Sequence, residues 1–431
     1  MSWFSSASAS AVPGAEYLLL LIGLPILVFG LVKLLVLPLS VWFELRAGRR
    51  RRRATPTMLD ERPSVSIIVP AFNEATVIEN CVRSIQLTLY DRYEVVLVDD
   101  GSNDNTAGLM RALAATDPRI TVLTQANAGK GAALNLGIRH ATGEVLMFVD
   151  ADGIFSQNTV KRMLQGFTDQ RTGAVCGDDR PVNLDRVQTR MLAFISHVGT
   201  GMVRRALTMI GCLPIVSGNI GAFPRRILEE IGPFREDTVG EDLELTWRVH
   251  KAGYRVVFAP RALVYAESPS TVRALWRQRV RWARGLLQTM GVHKRMIGNL
   301  RHGQFGAYLL FNTITMVVLP VLQILVLVDL VFLAALGRSP FGADVWAILG
   351  WVGLFITLLL TVFALAMNRA WKDLRHLWAL PLIPLYSVFT SLTMVAALMQ
   401  ELRGKEAHWN KLTRTGVVSV TAPAVRPEAS V

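Results

Sequence analysis

Val145-Leu-Met-Phe-Val-Asp-Ala-Asp-Gly153 is the stretch of sequence that predicts the fold of the domain around it. An apolar run followed by two aspartates one residue apart is typical of a buried parallel strand that runs into a loop. In open α/β sheets, ligands bind beyond the carboxyl ends of the strands, where Asp150 and Asp152 lie. Alternate residues point the same way, so both carboxylates can meet one Mg²⁺ or Mn²⁺ ion that carries a diphosphate. The alternative is an Asp-rich turn without a ligand.

The chain before this stretch predicts strands that alternate with helices. Strands are predicted at 65–70, which ends in Ala71-Phe72-Asn73-Glu74, at 93–98, which ends in Asp99-Asp100-Gly101-Ser102, and at 120–123. Such alternation produces right-handed crossovers and a mostly parallel sheet. The first, second and fourth strands therefore bring polar or acidic groups to one edge of the sheet.

The composition indicates a soluble domain joined to membrane segments. The chain has 431 residues, of which 51% are hydrophobic, and its mean hydropathy is +0.35. Its formal net charge of +13 does not indicate nucleic-acid binding, because no basic module with interleaved aromatic residues is present. Its arginines adjoin hydrophobic segments and favour anionic lipid headgroups as partners. The three cysteines lie far apart, so neither a disulfide framework nor a zinc site is predicted.

The first predicted membrane segment, 17–43, lies near the N-terminus and is long enough to cross a bilayer. The basic run Arg49–Arg53 follows it, which predicts that residues 1–16 lie outside the cytoplasm. A basic linker, 44–63, then leads into a cytoplasmic domain. The expected location is therefore the inner (plasma) membrane, with several crossings.

Three further hydrophobic segments are predicted at 306–336, 345–367 and 377–399. Pro381 and Pro384 leave open whether the last segment crosses the membrane or is re-entrant. The tail, 400–431, is basic and is expected to be partly disordered. Three complete crossings would put it outside, whereas its lysines and arginines favour the cytoplasm, so both alternatives stay open.

Six motifs in order identify a resemblance that covers about half of the chain. They are Pro70-Ala-Phe-Asn-Glu74, Val98-Asp-Asp-Gly-Ser102, Asn127-Ala-Gly-Lys-Gly131, Asp150-Ala-Asp152, Gly240-Glu-Asp242 and Gln278-Arg-Val-Arg-Trp282. The chain resembles membrane-embedded family-2 glycosyltransferases with the GT-A fold, especially poly-N-acetylglucosamine, chitin-oligosaccharide, hyaluronan and cellulose synthases. The resemblance implies a Rossmann-like α/β domain over 64–270 and an amphipathic interfacial region over 271–300. It departs from several relatives in having one segment before the domain where they have two.

The resemblance also implies roles for individual residues. Asp150 and Asp152 would hold the metal, and Asp242 would be the general base, with Glu241 orienting it or capping the helix. Nucleotide contacts are expected from Ala71, Phe72, Glu74, Asp99, Asp100 and Lys130. The diphosphate and acceptor would meet Gln278, Arg281 and Trp282, and the acceptor-side loop would include Gly218 and Asn219.

The residues alone leave simpler interpretations open. Asp100 can read the N–H of a uracil ring, or it can belong to a tight Asp-Gly turn. Lys130 can meet a diphosphate, or it can be a solvated loop lysine. Carboxylates at a helix start, such as Glu241 and Asp242, can be partners of the helix dipole. The stretch 272–288 can be an interfacial helix with arginines at headgroups.

The predicted function is an inverting transfer of sugar from a UDP-sugar to a growing β-linked polysaccharide, with Mg²⁺ or Mn²⁺ as cofactor. The expected partners are the donor, a glycan or lipid acceptor, the bilayer and an export or accessory subunit, with no nucleic acid. One alternative is a single transfer that makes a glycolipid on a ceramide or diacylglycerol. A more distant alternative is a non-catalytic membrane export subunit.

Overall fold

The computed structural model describes residues 33–52, 56–337, 343–405 and 414–418, and it leaves the side chains of 51–52 and 343–350 undescribed. The predicted N-terminus 1–16, most of the segment 17–43 and the end of the tail lie outside these residues. Within them, helix α1 runs over Val36–Arg52. The first part of the predicted 44–63 linker is thus helical.

Strands and helices alternate through the domain. In chain order they are β1 (Val65–Ala71), α2 (Ile78–Gln86), β2 (Tyr93–Asp99), α3 (Thr106–Ala114), β3 (Ile120–Thr124), α4 (Lys130–His140), β4 (Val145–Phe148), β5 (Ile154–Phe155), α5 (Thr159–Leu164), β6 (Thr172–Pro181), α6 (Val187–Ile195), α7 (Arg204–Met209), β7 (Gly221–Pro224), α8 (Arg225–Ile231), α9 (Glu241–Lys251) and β8 (Arg255–Ala266). A π-helical stretch, Ser196–Val203, joins α6 to α7.

The eight strands form one sheet in the order β3-β2-β1-β4-β7-β6-β8-β5. The first four strands in this order are parallel, as predicted. The other half is mixed, because β7 runs antiparallel to both β4 and β6, and β5 runs antiparallel to β8. The prediction of a mostly parallel sheet is therefore accurate for one half only. The ends of β1, β2 and β4 lie side by side, as predicted.

The sheet is the centre of the hydrophobic core. Every residue of β1 and β4 is buried, which explains why their sequences are apolar except for Ser66. One face of the sheet packs on α2 through Ile78, Val82 and Ile85, and the other packs on α4 through Ala133 and Leu134. Burial of each large apolar side chain contributes about 1.5–3 kcal/mol. The strand ends that carry the polar motifs are thus held on a rigid support.

A second, helical region follows the sheet. It contains α10 (Val272–Val292), α11 (Gly303–Thr313), α12 (Leu319–Ala335), α13 (Ala343–Met367) and α14 (Ile383–Leu402), with a π-helical stretch, Ile314–Val318, and a 3-10 helix, Trp371–Leu382. Among the described residues, two continuous helical stretches are long and apolar enough to cross a membrane, Leu300–Ala335 and Trp371–Leu402. A shorter apolar helix runs over Trp351–Met367. These stretches overlap the three predicted C-terminal segments.

Candidate active site

The candidate site lies at the edge of the sheet where β1, β2 and β4 end. We call the loops at these strand ends, residues 71–74, 99–103, 125–130 and 150–152, the strand-end half. The helix half comprises residues 217–219, 240–242, 267, 278–285 and 414–416. The two halves face each other, since Lys130 of the first lies next to Glu241 of the second.

Asp100 holds a loop of the strand-end half together. Its carboxylate is buried and accepts hydrogen bonds from Gln125 Nε2 at 2.7 Å and from the backbone N–H groups of Ala128 and Gly129 at 2.9 Å. These bonds fix the loop before α4, and with it the position of Lys130. The contact of Asp100 with uracil stays a prediction.

The loop after β1 is locked to the loop after β2. The carbonyl of Ala71 accepts the N–H of Asp100 at 2.8 Å, and the N–H of Asn73 bonds the Ser102 hydroxyl at 2.8 Å. The Glu74 N–H bonds the Thr106 hydroxyl at 2.8 Å. Asn73 adopts a φ of 55°, which an asparagine tolerates in a tight turn.

The side chains in these two loops differ in exposure. Ala71, Glu74 and Asp99 are buried, whereas Phe72 is only half-buried. An ordinary core phenylalanine would be buried more completely. The contact of Phe72 with a nucleotide stays a prediction.

Lys130 is the ionic centre of the site. Its Nζ lies 2.6 Å from Asp150 Oδ1 and 3.4 Å from Glu241 Oε1, and its side chain is only 10% exposed. Burial lowers the pKa of the ammonium, but the charges of Asp150, Glu241 and Asp242 outweigh burial and raise the pKa overall. The alternative of a solvated loop lysine is therefore wrong.

Asp242 opens α9 opposite the strand ends. Its Oδ2 accepts the N–H of Gly218 at 3.0 Å, so the predicted acceptor-side loop and the predicted base are in direct contact. A Cβ at Gly218 would lie 2.8 Å from Lys130 Nζ, which explains the glycine. Neighbouring Asn219 has a buried side-chain oxygen with no hydrogen-bond partner among the described residues.

Glu241 carries a perturbed carboxyl group beside Asp242. Burial, together with the charge of Asp242, raises the pKa of Glu241, although Lys130 opposes the shift. Burial and the charge of Asp150 likewise raise the pKa of Asp152. Burial is the largest cause of both shifts, and the neighbouring carboxylate adds to each.

Helix α10 is brought to the site by two glycines. A Cβ on Gly240, just before α9, would lie 2.9 Å from the Cα of Gly285 in α10. This close approach puts Arg281, one helical turn before Gly285, within electrostatic range of Asp150 and Glu241. Gly285, a glycine inside a long helix, is the sequence signal for this close approach, and the sequence-based prediction did not use it.

The other two residues of the α10 motif differ in their surroundings. The side-chain oxygen of Gln278 is buried and has no hydrogen-bond partner among the described residues. Trp282 is 51% exposed, and the Arg279 guanidinium lies 4.2 Å from its ring centroid. Its predicted stacking on an acceptor sugar stays a prediction.

Arg414 and Glu267 are site residues that sequence reasoning missed. An Arg414 guanidinium nitrogen lies 3.0 Å from Asp152 Oδ2, and it donates to the backbone carbonyl of Glu267 at 3.0 Å. The Glu267 carboxylate accepts a hydrogen bond from the N–H of Thr415 at 2.8 Å. The backbone N–H of Glu267 donates to the Asp152 carboxylate. Sequence reasoning used the basic tail only to predict membrane orientation, so its contact with Asp152 was not expected.

The donor atoms at the site suit a hard divalent cation. Its carboxylates outnumber its cations eight to five: they are Glu74, Asp99, Asp100, Asp150, Asp152, Glu241, Asp242 and Glu267 against Lys130, Arg279, Arg281, Arg284 and Arg414. Oxygen ligands are those that Mg²⁺ and Mn²⁺ prefer, and a divalent ion would offset part of the excess charge. Within the described residues no group of three or more His, Cys, Asp and Glu is preassembled around a metal position. The ion would therefore complete its coordination with other oxygen ligands.

Comparison with known proteins finds a family match for part of the chain. Residues 66–232 match the family described as Glycosyl transferase family 2. The matched part, which is less than half of the chain, is similar to this family. It contains the strand-end half and Gly218, whereas Asp242, α10 and the tail lie beyond the match.

Two curated relatives are similar over a longer stretch. Poly-beta-1,6-N-acetyl-D-glucosamine synthase of Staphylococcus aureus (strain COL) is 33% identical over 232 residues, which are 53% of this chain and 55% of that protein. The synthase of the same description from Staphylococcus epidermidis is 31% identical over 226 residues, 51% of this chain and 54% of that protein. The chain thus matches about half the length of these relatives.

One solved structure resembles nearly the whole chain. It is the mannosyltransferase PcManGT from Pyrobaculum calidifontis in complex with GDP-Man and Mn2+, with a TM-score of 0.63 and 24% identity. The likeness covers 91% of this chain and 100% of that one. At this identity it shows that the fold is shared.

Proposed function

We propose that this protein transfers sugar from a UDP-sugar to a growing β-linked glycan at the cytoplasmic face of the inner membrane, with inversion at C1. One observation carries the proposal: Lys130 joins Asp150, Glu241 and Asp242 in one charged cluster, although these residues come from three separate motifs. A cation in contact with acids on both sides of a cleft is an arrangement suited to a diphosphate next to a proton acceptor.

Asp242 is the proposed general base. A sugar hydroxyl is a poor nucleophile, and a carboxylate within hydrogen-bond reach accepts its proton as the bond to C1 forms. Asp242 is partly exposed, so an acceptor can reach it, and its bond from the Gly218 N–H fixes one oxygen. Attack from this side, opposite the departing UDP, inverts the configuration. Glu241 is the proposed orienting partner.

The leaving group is held by the cations of the site. In the described state Lys130 pairs with Asp150, and Arg414 pairs with Asp152. When bound, a divalent ion on Asp150 and Asp152 would neutralise negative charge that develops on the diphosphate. Lys130 and Arg414, together with Arg281, would then face the phosphate oxygens, the interaction that Arg and Lys make well.

The proposed membrane arrangement follows from the tail. Arg414 contacts the same site as α10, so the chain between them crosses the bilayer an even number of times. We assign two crossings to the stretches within 300–335 and 343–367. The stretch 371–402, which contains Pro381 and packs against α10, would then lie along the membrane surface. This assignment favours a cytoplasmic tail and the re-entrant alternative for 377–399.

The deciding experiment incubates the full-length protein, solubilised in detergent, with Mg²⁺ or Mn²⁺ and a panel of UDP-sugars. UDP release and product size are followed together. UDP release with a ladder or high polymer supports the proposal. A single glycolipid product would replace polymer synthesis with single transfer, and no UDP release from any donor would contradict an enzymatic role.

A further inference from the structure

A cavity of about 630 Å³ lies between helix α1 and the domain. Its walls combine arginines with apolar side chains, and they include Phe43, Arg46 and Arg50 of α1, Arg162 at α5, and Arg255 and Arg261 of β8. β8 starts at the cavity and ends next to Glu267 of the candidate active site, 12 residues later. At about 3.3 Å per residue, the start of β8 is roughly 40 Å along the strand from Glu267, and Arg261, the last lining residue of β8, is roughly 20 Å from it. The cavity is therefore a separate feature.

One face of α1 forms the outer wall. Phe43, Arg46, Ala47 and Arg50 follow each other at the spacing of one helical face. The helix is fixed by Glu44, whose carboxylate lies 2.7 Å from the Arg205 guanidinium. The Ser40 hydroxyl also bonds the carbonyl of Met202 at 3.0 Å. These contacts hold the wall in place.

The cavity is strongly cationic. Five arginines line it against one acid, Asp60. The Asp60 carboxylate accepts the N–H of Thr57 at 2.6 Å, so it is engaged locally. Burial and the charges of Arg46 and Arg255 lower the pKa of the Arg50 guanidinium, whereas Asp169, which pairs with Arg255, opposes the shift, so the repulsion between these cations is only partly offset. A bound anion would relieve this repulsion.

The mouth of the cavity adjoins apolar surface suited to lipid. The exposed large apolar side chains of α1 include Val41, Trp42 and Leu45, and exposed Leu35 directly precedes the helix. Gln304, which also lines the cavity, stands near the start of the apolar stretch Leu300–Ala335. Tryptophan and arginine at the end of an apolar segment are typical of the headgroup level of a bilayer. The anion is thus expected to come from the membrane side.

We propose that this cavity binds the phosphate headgroup of an anionic phospholipid. Arg46 and Arg50 would contact the phosphate from α1, and Arg162, Arg255 and Arg261 would supply positive charge from the domain. Guanidinium groups recognise phosphate oxygens through paired hydrogen bonds. The volume suits a headgroup and its glycerol, and Phe43 offers apolar contact to the start of the acyl chains. The lipid would bridge α1 and the domain.

The test uses the full-length protein in neutral detergent micelles. Phosphatidylglycerol is titrated, and the lipid concentration that gives half of the maximal rise in Tm is measured. The variant R46Q/R50Q is compared with the control variant R49Q/R139Q, which removes the same amount of charge. Arg49 lies on α1 but does not line the cavity, and Arg139 lies on the exposed surface of α4. Phosphatidylcholine and inorganic phosphate are titrated in parallel.

We expect R46Q/R50Q to raise the half-saturating concentration at least ten-fold and R49Q/R139Q to change it less than two-fold. Phosphatidylcholine should give no saturable shift. Equal effects of the two double variants would overturn the proposal. An equal shift with millimolar inorganic phosphate, lost in R46Q/R50Q, would also overturn it and assign the cavity to a soluble phosphate compound. If R46Q/R50Q does not fold, R46Q alone decides, with at least three-fold weaker binding expected.

Discussion

The two halves of the candidate site are built in different ways. In the strand-end half, backbone groups and short polar side chains of adjacent loops hold one another, as in the bonds from Ala128 and Gly129 to Asp100. In the helix half, contacts join residues far apart in the sequence, such as Arg414 with Asp152 and Gly240 with Gly285. The first half is fixed by the sheet, whereas the second depends on how the helices and the tail pack.

This difference suggests a division of labour. A preformed pocket at the strand ends suits the binding of a nucleotide that is the same in every cycle. A half made of packed helices and a tail can separate from it when donor enters and product leaves. The comparison can be tested by changing one half and measuring properties assigned to the other.

The largest expected effect is that of Asp242→Asn. Asparagine keeps an oxygen for the Gly218 N–H but cannot take a proton, so turnover should fall about 10²–10⁴-fold. Donor binding, assigned to the strand-end half, should stay within about two-fold. UDP release and equilibrium binding of the donor measure the two properties.

The matched control is Asp237→Asn, an exposed acid five residues earlier that pairs with Arg235. It should leave both measurements unchanged. Near-normal turnover of Asp242→Asn would assign the base to another residue.

Arg414→Gln comes next in size. Loss of a charge-assisted hydrogen bond to a phosphate typically costs about 1.5–3 kcal/mol, so the donor KM should rise about 10–100-fold. The exposed Arg403, on the same C-terminal segment, provides the control variant Arg403→Gln. An unchanged donor KM in Arg414→Gln would mean that the tail only covers the acids in the donor-free state.

The strand-end half could be predicted from the sequence more completely than the helix half. The shared edge of β1, β2 and β4 was predictable, because apolar runs that end in Asp99 and Asp150 alternate with helices. The glycine-containing loop before α4 brings Lys130 to Asp150 at this edge, whereas its contact with a diphosphate stays a prediction. These are local signals, and the structure retains them.

The rest could not be predicted because it depends on tertiary packing. The mixed half of the sheet arises where β7, a run of only four residues, enters between β4 and β6. The ion pair of Arg414 joins residues separated by more than half of the chain. No periodicity or short motif predicts that contact, so the charge of the basic tail was used only to predict its side of the membrane.

Gly285→Ala tests the packing of the helix half directly. A Cβ there would lie 2.9 Å from the Cα of Gly240, so α9 and α10 must separate and carry Arg281 away from the acids. Overpacking of this kind costs about 1–3 kcal/mol, and we expect kcat/KM to fall about ten-fold. Gly291→Ala is the control in the same helix, since nothing lies within 4 Å of its added Cβ. Equal activity of the two variants would show that this close approach does not position Arg281.

The smallest expected effect is a pH dependence of stability that arises in α9, the helix that begins with Glu241 and Asp242 of the helix half. The His250 ring stacks on Phe305 at 3.7 Å and bonds the Leu213 carbonyl at 2.8 Å, so it joins α9 to α11. Burial lowers the pKa of His250 to about 4, whereas that hydrogen bond raises it slightly. Between pH 6.5 and 4, His250 is protonated in the unfolded chain but stays neutral in the folded protein. The free energy of unfolding therefore decreases as the pH is lowered, by about 1 kcal/mol near pH 5.5.

His250→Gln should remove this part of the decline in Tm between pH 7 and 5.5. The Tm of the exposed control variant His140→Gln should decline in parallel with that of the unaltered protein. Parallel curves for all three proteins would show that His250 does not make α9 sensitive to acid.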